Sequence, residues 1–210
     1  MKRTILLLFA AILCSASVTA QPAGFRLLSG AEKAGCITKL NDNVKTLQCS
    51  FRQEKNSTLL SETGESSGQM CYRKDKSLLR WEYTAPQATV LIIDDGKIKM
   101  DGESGKSKKA GKMFQELGKM ISGVVSGEEF SSERNFKAEV YGTPAELWIS
   151  MTPASRRVAR MMKKLEITID RKKMVATKMV MTEKNGDVTT IKFYHHKINE
   201  PVADELFQLK

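Results

Sequence analysis

Between Ser66 and Met100 the hydrophobic pattern of the chain is most explicit. Leu79, Trp81 and Tyr83 alternate with the charged Arg80 and Glu82, which is the period-two signature of a half-buried strand. Pro86 interrupts it. Val90, Leu91, Ile92 and Ile93 follow as a short unbroken apolar run, which predicts a strand covered on both faces. Asp94-Asp95-Gly96-Lys97 predicts a turn, and Ile98 and Met100 begin another strand. Strands joined this tightly form an antiparallel meander, because a parallel pair needs a long crossover.

The same alternation recurs on either side. Ser29 to Leu40 has Ala34, Ile37 and Leu40 at helical spacing, with Ser29 and Glu32 placed as a capping box. Val44 to Lys55 puts Leu47, Cys49, Phe51 and Gln53 on one strand face, and Glu62 to Gly68 reads as a polar turn. Further strands are predicted at Phe136/Ala138/Val140, Leu147/Ile149/Met151 and Leu165/Ile167/Ile169. A last hairpin has Val175, Thr177, Met179 and Met181 on one arm and Thr189, Ile191 and Phe193 on the other. Asn185-Gly186 between them signals a two-residue turn.

One stretch changes period. From Lys108 to Val125, Met113, Phe114, Leu117, Met120, Ile121, Val124 and Val125 recur at three and four residues, as in an amphipathic helix. Gly111, Gly118 and Gly123 weaken it, each by about 1 kcal/mol against alanine. Such a helix is either a plain cap on the end of a barrel or a movable lid over an apolar cavity. About ten strands against two main helices give an α+β domain built on a large curved antiparallel sheet.

Composition and charge then place the molecule. Lys2-Arg3, the apolar run Ile5 to Leu13 and the small residues ending Val18-Thr19-Ala20 form a secretory signal spanning residues 1–20. Leu13 is too large for Cys14 to be a lipidation site. Residues 21–210 then make one exported domain, expected to be a soluble monomer. Removing Lys2 and Arg3 lowers the formal net charge from +10 to +8. A basic exported chain without a recognition motif is not a nucleic-acid binder. The densest basic stretch is Ala154 to Lys164, where Arg156, Arg157, Arg160, Lys163 and Lys164 surround Val158, Met161 and Met162. It reads as a solvated turn or as a contact for an anionic membrane or acidic protein.

Catalytic chemistry is sought and not found. Gly102 to Ser107 copies only the second half of a phosphate-binding loop, because Met100 stands where the first glycine belongs. His195 and His196 are neighbours on a strand and point to opposite faces, so they read as a strand-end surface pair with no metal site. Cys36, Cys49 and Cys71 fit no zinc or redox spacing, and either serve as small core residues or make one disulfide and a free thiol. No catalytic residue, metal or cofactor is assigned. There are eleven methionines, ten of them beyond Met1. A soft, methionine-rich apolar surface suits ligands of varied shape. The candidate lining of an apolar cavity is Phe51, Trp81, Tyr83, Leu91, Ile93, Met113, Phe114, Leu117, Met120, Ile121, Leu147, Ile149, Met151 and Ile167.

Taken together, four blocks resemble the periplasmic outer-membrane lipoprotein carrier (LolA-like) family. They are Phe51-Arg52-Gln53, then Leu78 to Tyr83 with Pro86 and Ile93 to Lys97. Leu147-Trp148-Ile149 with Thr152-Pro153 is the third. The fourth runs from Leu165 to Ile169 and on through Thr182 to Asp187, Thr190-Ile191, Asn199 and Phe207. The resemblance implies an unclosed β-barrel with a helical lid over an apolar cavity that holds the acyl chains of a lipoprotein or related lipid. It implies an inner-membrane lipoprotein-releasing ABC transporter as donor and an outer-membrane acceptor. It also implies a strand cation that bonds the lid when closed, and Arg73 or Lys74 takes that place. The competing readings are a binding module that senses lipids or lipoproteins under envelope stress, and a secreted lipid-acting enzyme. The absence of a nucleophile–base pair argues against the enzyme.

Overall fold

The computed structural model describes residues 22–58, 63–94, 97–102 and 135–209. The elements in chain order are β1 (Arg26–Leu27), α1 (Gly30–Asn43), β2 (Thr46–Asn56), β3 (Thr63–Arg73), β4 (Leu78–Ala85), β5 (Thr89–Asp94) and β6 (Lys97–Gly102). After residue 134 come β7 (Phe136–Gly142), β8 (Glu146–Pro153), a short helix at Arg156–Ala159, β9 (Met162–Asp170), β10 (Val175–Glu183), β11 (Val188–Ile198) and a 3-10 turn at Asp204–Phe207. The strands form one antiparallel sheet in the order β1-β7-β8-β9-β10-β11-β2-β3-β4-β5-β6. β1 and β6 are its two edges, so the barrel is not closed. The α+β, unclosed-barrel expectation therefore holds for the sheet.

One apolar cluster explains why the sheet curls. It joins Leu91 and Ile93 from the β6 end to Phe136, Val140 and Leu147 from the β1 end, through Phe51, Trp81, Ile149 and Ile167 in between. A flat sheet of eleven strands at about 4.8 Å spacing would hold those residues far apart. A smaller cluster lies on the convex side, where Cys71, Leu78 and Ile92 pack against Phe207. The C-terminal turn thus covers the outer face of β3–β5. That is why Val90 to Ile93 is apolar without alternation: Leu91 and Ile93 face the main core and Ile92 faces Phe207.

Four expectations need correction. Within the predicted turn Glu62 to Gly68, the described part, Thr63 to Gly68, is not a turn. It is paired strand, with Ser66 opposite Gln53 and Gly68 opposite Phe51. Its polar residues suit an extended ladder with one solvated face. Ser29 does precede α1, but its side chain makes no cap hydrogen bond. Glu32 instead accepts from Arg26 at 2.6 and 2.9 Å, and from Arg171 at 3.4 Å. The hairpin at Asn185-Gly186 is a three-residue loop. Gly186 N–H donates to Glu183 O, Glu183 N–H donates to Asp187 O, and Gly186 takes φ +99°. Finally, β11 carries a bulge between Tyr194 and Lys197, with His195 at φ +55°. The bulge breaks the simple alternation, and His196 ends up in the wall of an internal cavity.

Candidate functional site

A cavity lies beside the C-terminal end of α1. Leu40 and Val44 supply its roof. Leu47 and Cys49 of β2, Met70 of β3, Ile167 and Ile169 of β9, Val175, Ala176 and Met179 of β10, and Phe193 and His196 of β11 form the walls, with Met174 at the turn into β10. Apart from His196, these side chains are apolar. The cavity offers about 40 Å³ to the centre of a water-sized sphere. That is room for a few waters, since one needs about 10–15 Å³. Small-ligand pockets run to about 300–1,000 Å³. Among the described residues the cavity is therefore contracted, and an acyl chain enters only if its walls separate. Three methionines, Met70, Met174 and Met179, line it, and their unbranched side chains repack at little cost.

The predicted lining residues are placed as follows. Phe51, Trp81, Tyr83, Leu91, Ile93, Leu147, Ile149, Met151 and Ile167 are all buried in the main cluster on the concave face. Ile167 is the one that also lines the α1 cavity. Met113, Phe114, Leu117, Met120 and Ile121, with the phosphate-loop-like Gly102 to Ser107 beyond its first residue, lie outside the described residues, as does the signal segment.

Next to the cavity is an aromatic group. Phe51 stacks on Trp81 with centroids 4.2 Å apart, and Tyr83 meets Phe51 edge-on at 5.3 Å. Phe193, a cavity wall, meets Trp81 edge-on at 6.1 Å. The Tyr83 hydroxyl donates to Gln53 Oε1 at 3.0 Å, and burial pushes its pKa up. Trp81 Nε1 is buried without a well-formed hydrogen bond among the described residues. It does lie near enough to the Tyr83 oxygen to oppose that upward shift, as the bond to Gln53 does. The group is continuous apolar surface with polar tips at one end.

The two gate candidates lie elsewhere. Met70 and Tyr72 of β3 face the main core, so Arg73, the next residue, faces the convex side. Its guanidinium bonds the carboxylates of Asp75 and Asp204 and donates to Val202 O at 3.3 Å. Arg73 is thus committed to the C-terminal turn. Lys74 sits in the β3–β4 turn, where its N–H donates to Lys45 O at 2.8 Å.

Among the described residues, no nucleophile, base and metal-ligand grouping comes together. Cys36, Cys49 and Cys71 are buried free thiols. Burial pushes Cys49 up to about 12 and Cys71 up to about 11, so both stay protonated and poorly nucleophilic. Among the described residues no three His, Cys, Asp or Glu side chains come together as metal ligands. No helix among them is long and apolar enough to cross a membrane.

A family model described as outer membrane lipoprotein carrier protein LolA matches residues 42–210. The chain belongs to that family. No curated protein matches the sequence. Among solved structures, a crystal structure of MucB superposes with a TM-score of 0.54 at 13% identity, covering 87% of this chain and 64% of that one. MucB in the Pseudomonas aeruginosa MucA/MucB complex gives 0.51 at 12% identity, covering 85% and 60%. A LolA superfamily protein from Nitrosomonas europaea gives 0.45 at 8%, covering 87% and 98%. At these identities the MucB likeness shows the shared fold alone. This LolA-family chain spans about three fifths of the length of the MucB chains it matches.

The residues that sequence reasoning missed are instructive. Leu40 and Val44 were visible as helix and strand-start positions but not as a roof. Met174 and Val175 lie at a turn whose register is set by a β-bulge between Ala176 and Lys178. His196 is hidden by the second bulge, which no residue pattern announces.

Proposed function

We propose that this LolA-family protein is a periplasmic carrier. It takes the acyl chains of lipoproteins, or of related lipids, onto its concave apolar face and moves them from the inner to the outer membrane. In this reading it receives cargo from an inner-membrane lipoprotein-releasing ABC transporter and passes it to an outer-membrane acceptor. It acts without a catalytic step. The observation that carries the reading is the continuous apolar surface running from Leu91 and Ile93 through Phe51 and Trp81 to Ile149 and Leu147 inside an unclosed sheet. A sheet with two free edges can open that surface, which a closed barrel cannot. Phe51, Trp81, Tyr83, Leu91, Ile93, Leu147, Ile149, Met151 and Ile167 are the proposed acyl contacts on the sheet. Met113, Phe114, Leu117, Met120 and Ile121 are the proposed contacts of the lid. Arg73 and Lys74 are the proposed strand-end candidates for the gate.

The likeness to MucB favours a second reading, a binding module that grips a partner protein or senses lipoproteins. One experiment separates them. The protein is purified from the periplasm and its co-purifying material is analysed by intact mass spectrometry, followed by transfer to outer-membrane vesicles. Acylated protein that is bound and then delivered supports the carrier. Acylated cargo that is held and never delivered supports the sensor. The absence of any acyl-bearing species overturns the carrier and the lipoprotein sensor, and an unacylated protein that co-purifies then supports a module that grips a partner protein.

A further inference from the structure

The connection between β8 and β9 has a charge pattern that the fold does not require. From Ser155 to Leu165 the chain contains five cations and no carboxylate. Its four-residue helix is pinned by Val158, which is buried, and by the Ser155 hydroxyl, which accepts from Val158 N–H at 3.3 Å. Met161 O accepts from Lys184 N–H at 3.0 Å, which fixes the far side of the turn. This anchoring leaves Arg156, Arg157, Arg160 and Lys163 exposed around a half-buried Met161. Lys164 of this stretch and several cations elsewhere are paired. Arg26 and Arg171 bond Glu32, Arg73 bonds Asp75 and Asp204, Arg80 bonds Glu82, and Lys164 bonds Glu166. Among the described residues, Arg156, Arg160 and Lys163 have no carboxylate within ion-pair distance.

The position of this tip matters as much as its charge. Ala154 N–H donates to Asn135 O at 2.8 Å, directly before β7. The antiparallel order puts the end of β6 and the start of β7 on the same rim of the sheet as this tip. The cations therefore crowd the rim where the chain leaves and re-enters the sheet.

We infer that the β8–β9 tip docks the protein onto an anionic lipid surface, with Arg156, Arg157, Arg160 and Lys163 facing lipid phosphates. The inference deepens the carrier reading and rests on it, since a carrier of acyl chains has to meet a membrane or its edge. A bilayer suits the tip better than an acidic peptide does. β8 and β9 are hydrogen-bonded to a strand on both sides, so no strand edge is free here to add a peptide. Long cations without a groove match the diffuse charge of a phosphate surface, and Met161 supplies an apolar contact beside them.

The test uses the purified protein and vesicles of phosphatidylcholine with or without phosphatidylglycerol, read by co-sedimentation at low and high salt. Binding is expected to the anionic vesicles only and to fall as salt screens it. The triple variant Arg156→Gln/Arg160→Gln/Lys163→Gln should lose on the order of a hundredfold in affinity, since each cation near an anionic surface contributes comparably. A control, Arg52→Gln/Lys178→Gln/Lys192→Gln, removes the same charge from exposed positions that lie opposite one another across β2, β11 and β10. It should bind like the parent. Equal losses in both variants, or equal binding to neutral vesicles, overturns the inference. So does an acidic polypeptide that binds the parent tip more tightly than the vesicles do. Circular dichroism verifies that both variants fold. Uptake of a fluorescent fatty-acid probe in vesicle-free solution keeps the two readings apart. Probe uptake without vesicle binding sinks the docking surface and leaves the carrier standing. Vesicle binding without probe uptake does the reverse.

Discussion

The ring of Phe51 lies directly over the α-carbon of Gly68 on the neighbouring strand. A β-carbon placed at Gly68 would stand 2.6 Å from Phe51 Cζ and 1.9 Å from the Glu82 carbonyl oxygen. The glycine therefore lets Phe51 lie flat against β3 and stack on Trp81 at 4.2 Å. Gly68→Ala cannot be absorbed by a side-chain rotation, because the nearest atom is backbone. It should destabilise the protein by about 3 kcal/mol, the upper part of the range for overpacked cores. Urea unfolding followed by Trp81 fluorescence measures this. A midpoint equal to the parent's would show that β3 and β4 shift freely.

That contact also marks how far the sequence is readable. The alternation through Leu79, Trp81 and Tyr83, the break at Pro86 and the helical spacing up to Leu40 are local patterns, and the sheet preserves them. Among the described residues, the strand positions chosen as lining reach the concave face because a strand's period of two fixes their side. Ser66, Ser67 and Gly68 misled because turn-forming residues also occur where a strand must be thin enough for a ring to pass. His196 misled because a bulge shifts facing by one residue, and nothing in His195-His196 itself encodes the bulge. The bonding of Arg73 was not legible for another reason. Its partners, Asp204 and the carbonyl of Val202, are more than a hundred residues away along the chain.

The Arg73 cluster ties the C-terminal turn to the sheet. Lys76 bonds Asp204 at 2.7 Å, and this bond, with Arg73 beside it, holds the Asp204 carboxyl below the ordinary carboxylate range. Arg73 does the same to Asp75. A carboxyl with a depressed folded pKa contributes stability above its unfolded value and loses it as pH falls through the folded value. Docking of Leu206 and Phe207 should therefore be firm at neutral pH and weaken as pH falls below the ordinary carboxylate range. Hydrogen exchange of the segment from Pro201 to Leu209 measures it. Asp204→Asn should exchange fast at neutral pH and respond less to acid. An acid response as large as the parent's would place the switch elsewhere.

His196 gives the cavity a different pH dependence. Its Nε2–H donates to the Ala176 carbonyl at 2.9 Å, which fixes the neutral tautomer. Burial lowers its pKa, and Lys173 and His195 lower it further, while the bond to Ala176 and the nearby Asp170 oppose them. A histidine with a depressed folded pKa favours the neutral form, so stability is full above about 6.5 and declines as pH falls through the folded value. Acyl-probe affinity should fall over the same window, because a charged imidazole in the wall repels an apolar chain. His196→Phe should flatten that profile and keep binding at acid pH. An unchanged profile in the variant would remove His196 from the cavity's chemistry.

Ala176 tests the cavity itself. Its side chain lines the space beside the end of α1, between Val175 and Met179 on one side and His196 on the other. Ala176→Leu would add three carbons to a contracted cavity of about 40 Å³. Filling apolar space of this kind commonly raises stability by about 0.5–2 kcal/mol. The same carbons would stand where an acyl chain has to enter, and they would also hold Leu40 and Val44 more firmly against the sheet. The urea midpoint should therefore rise while acyl-probe uptake falls. The opposite signs make the result decisive, since a damaged fold would lower both. Lower stability together with lower uptake would mean the cavity is already full and that the variant merely overpacks it. Higher stability with unchanged uptake would place the acyl chains against Phe51 and Trp81, away from α1.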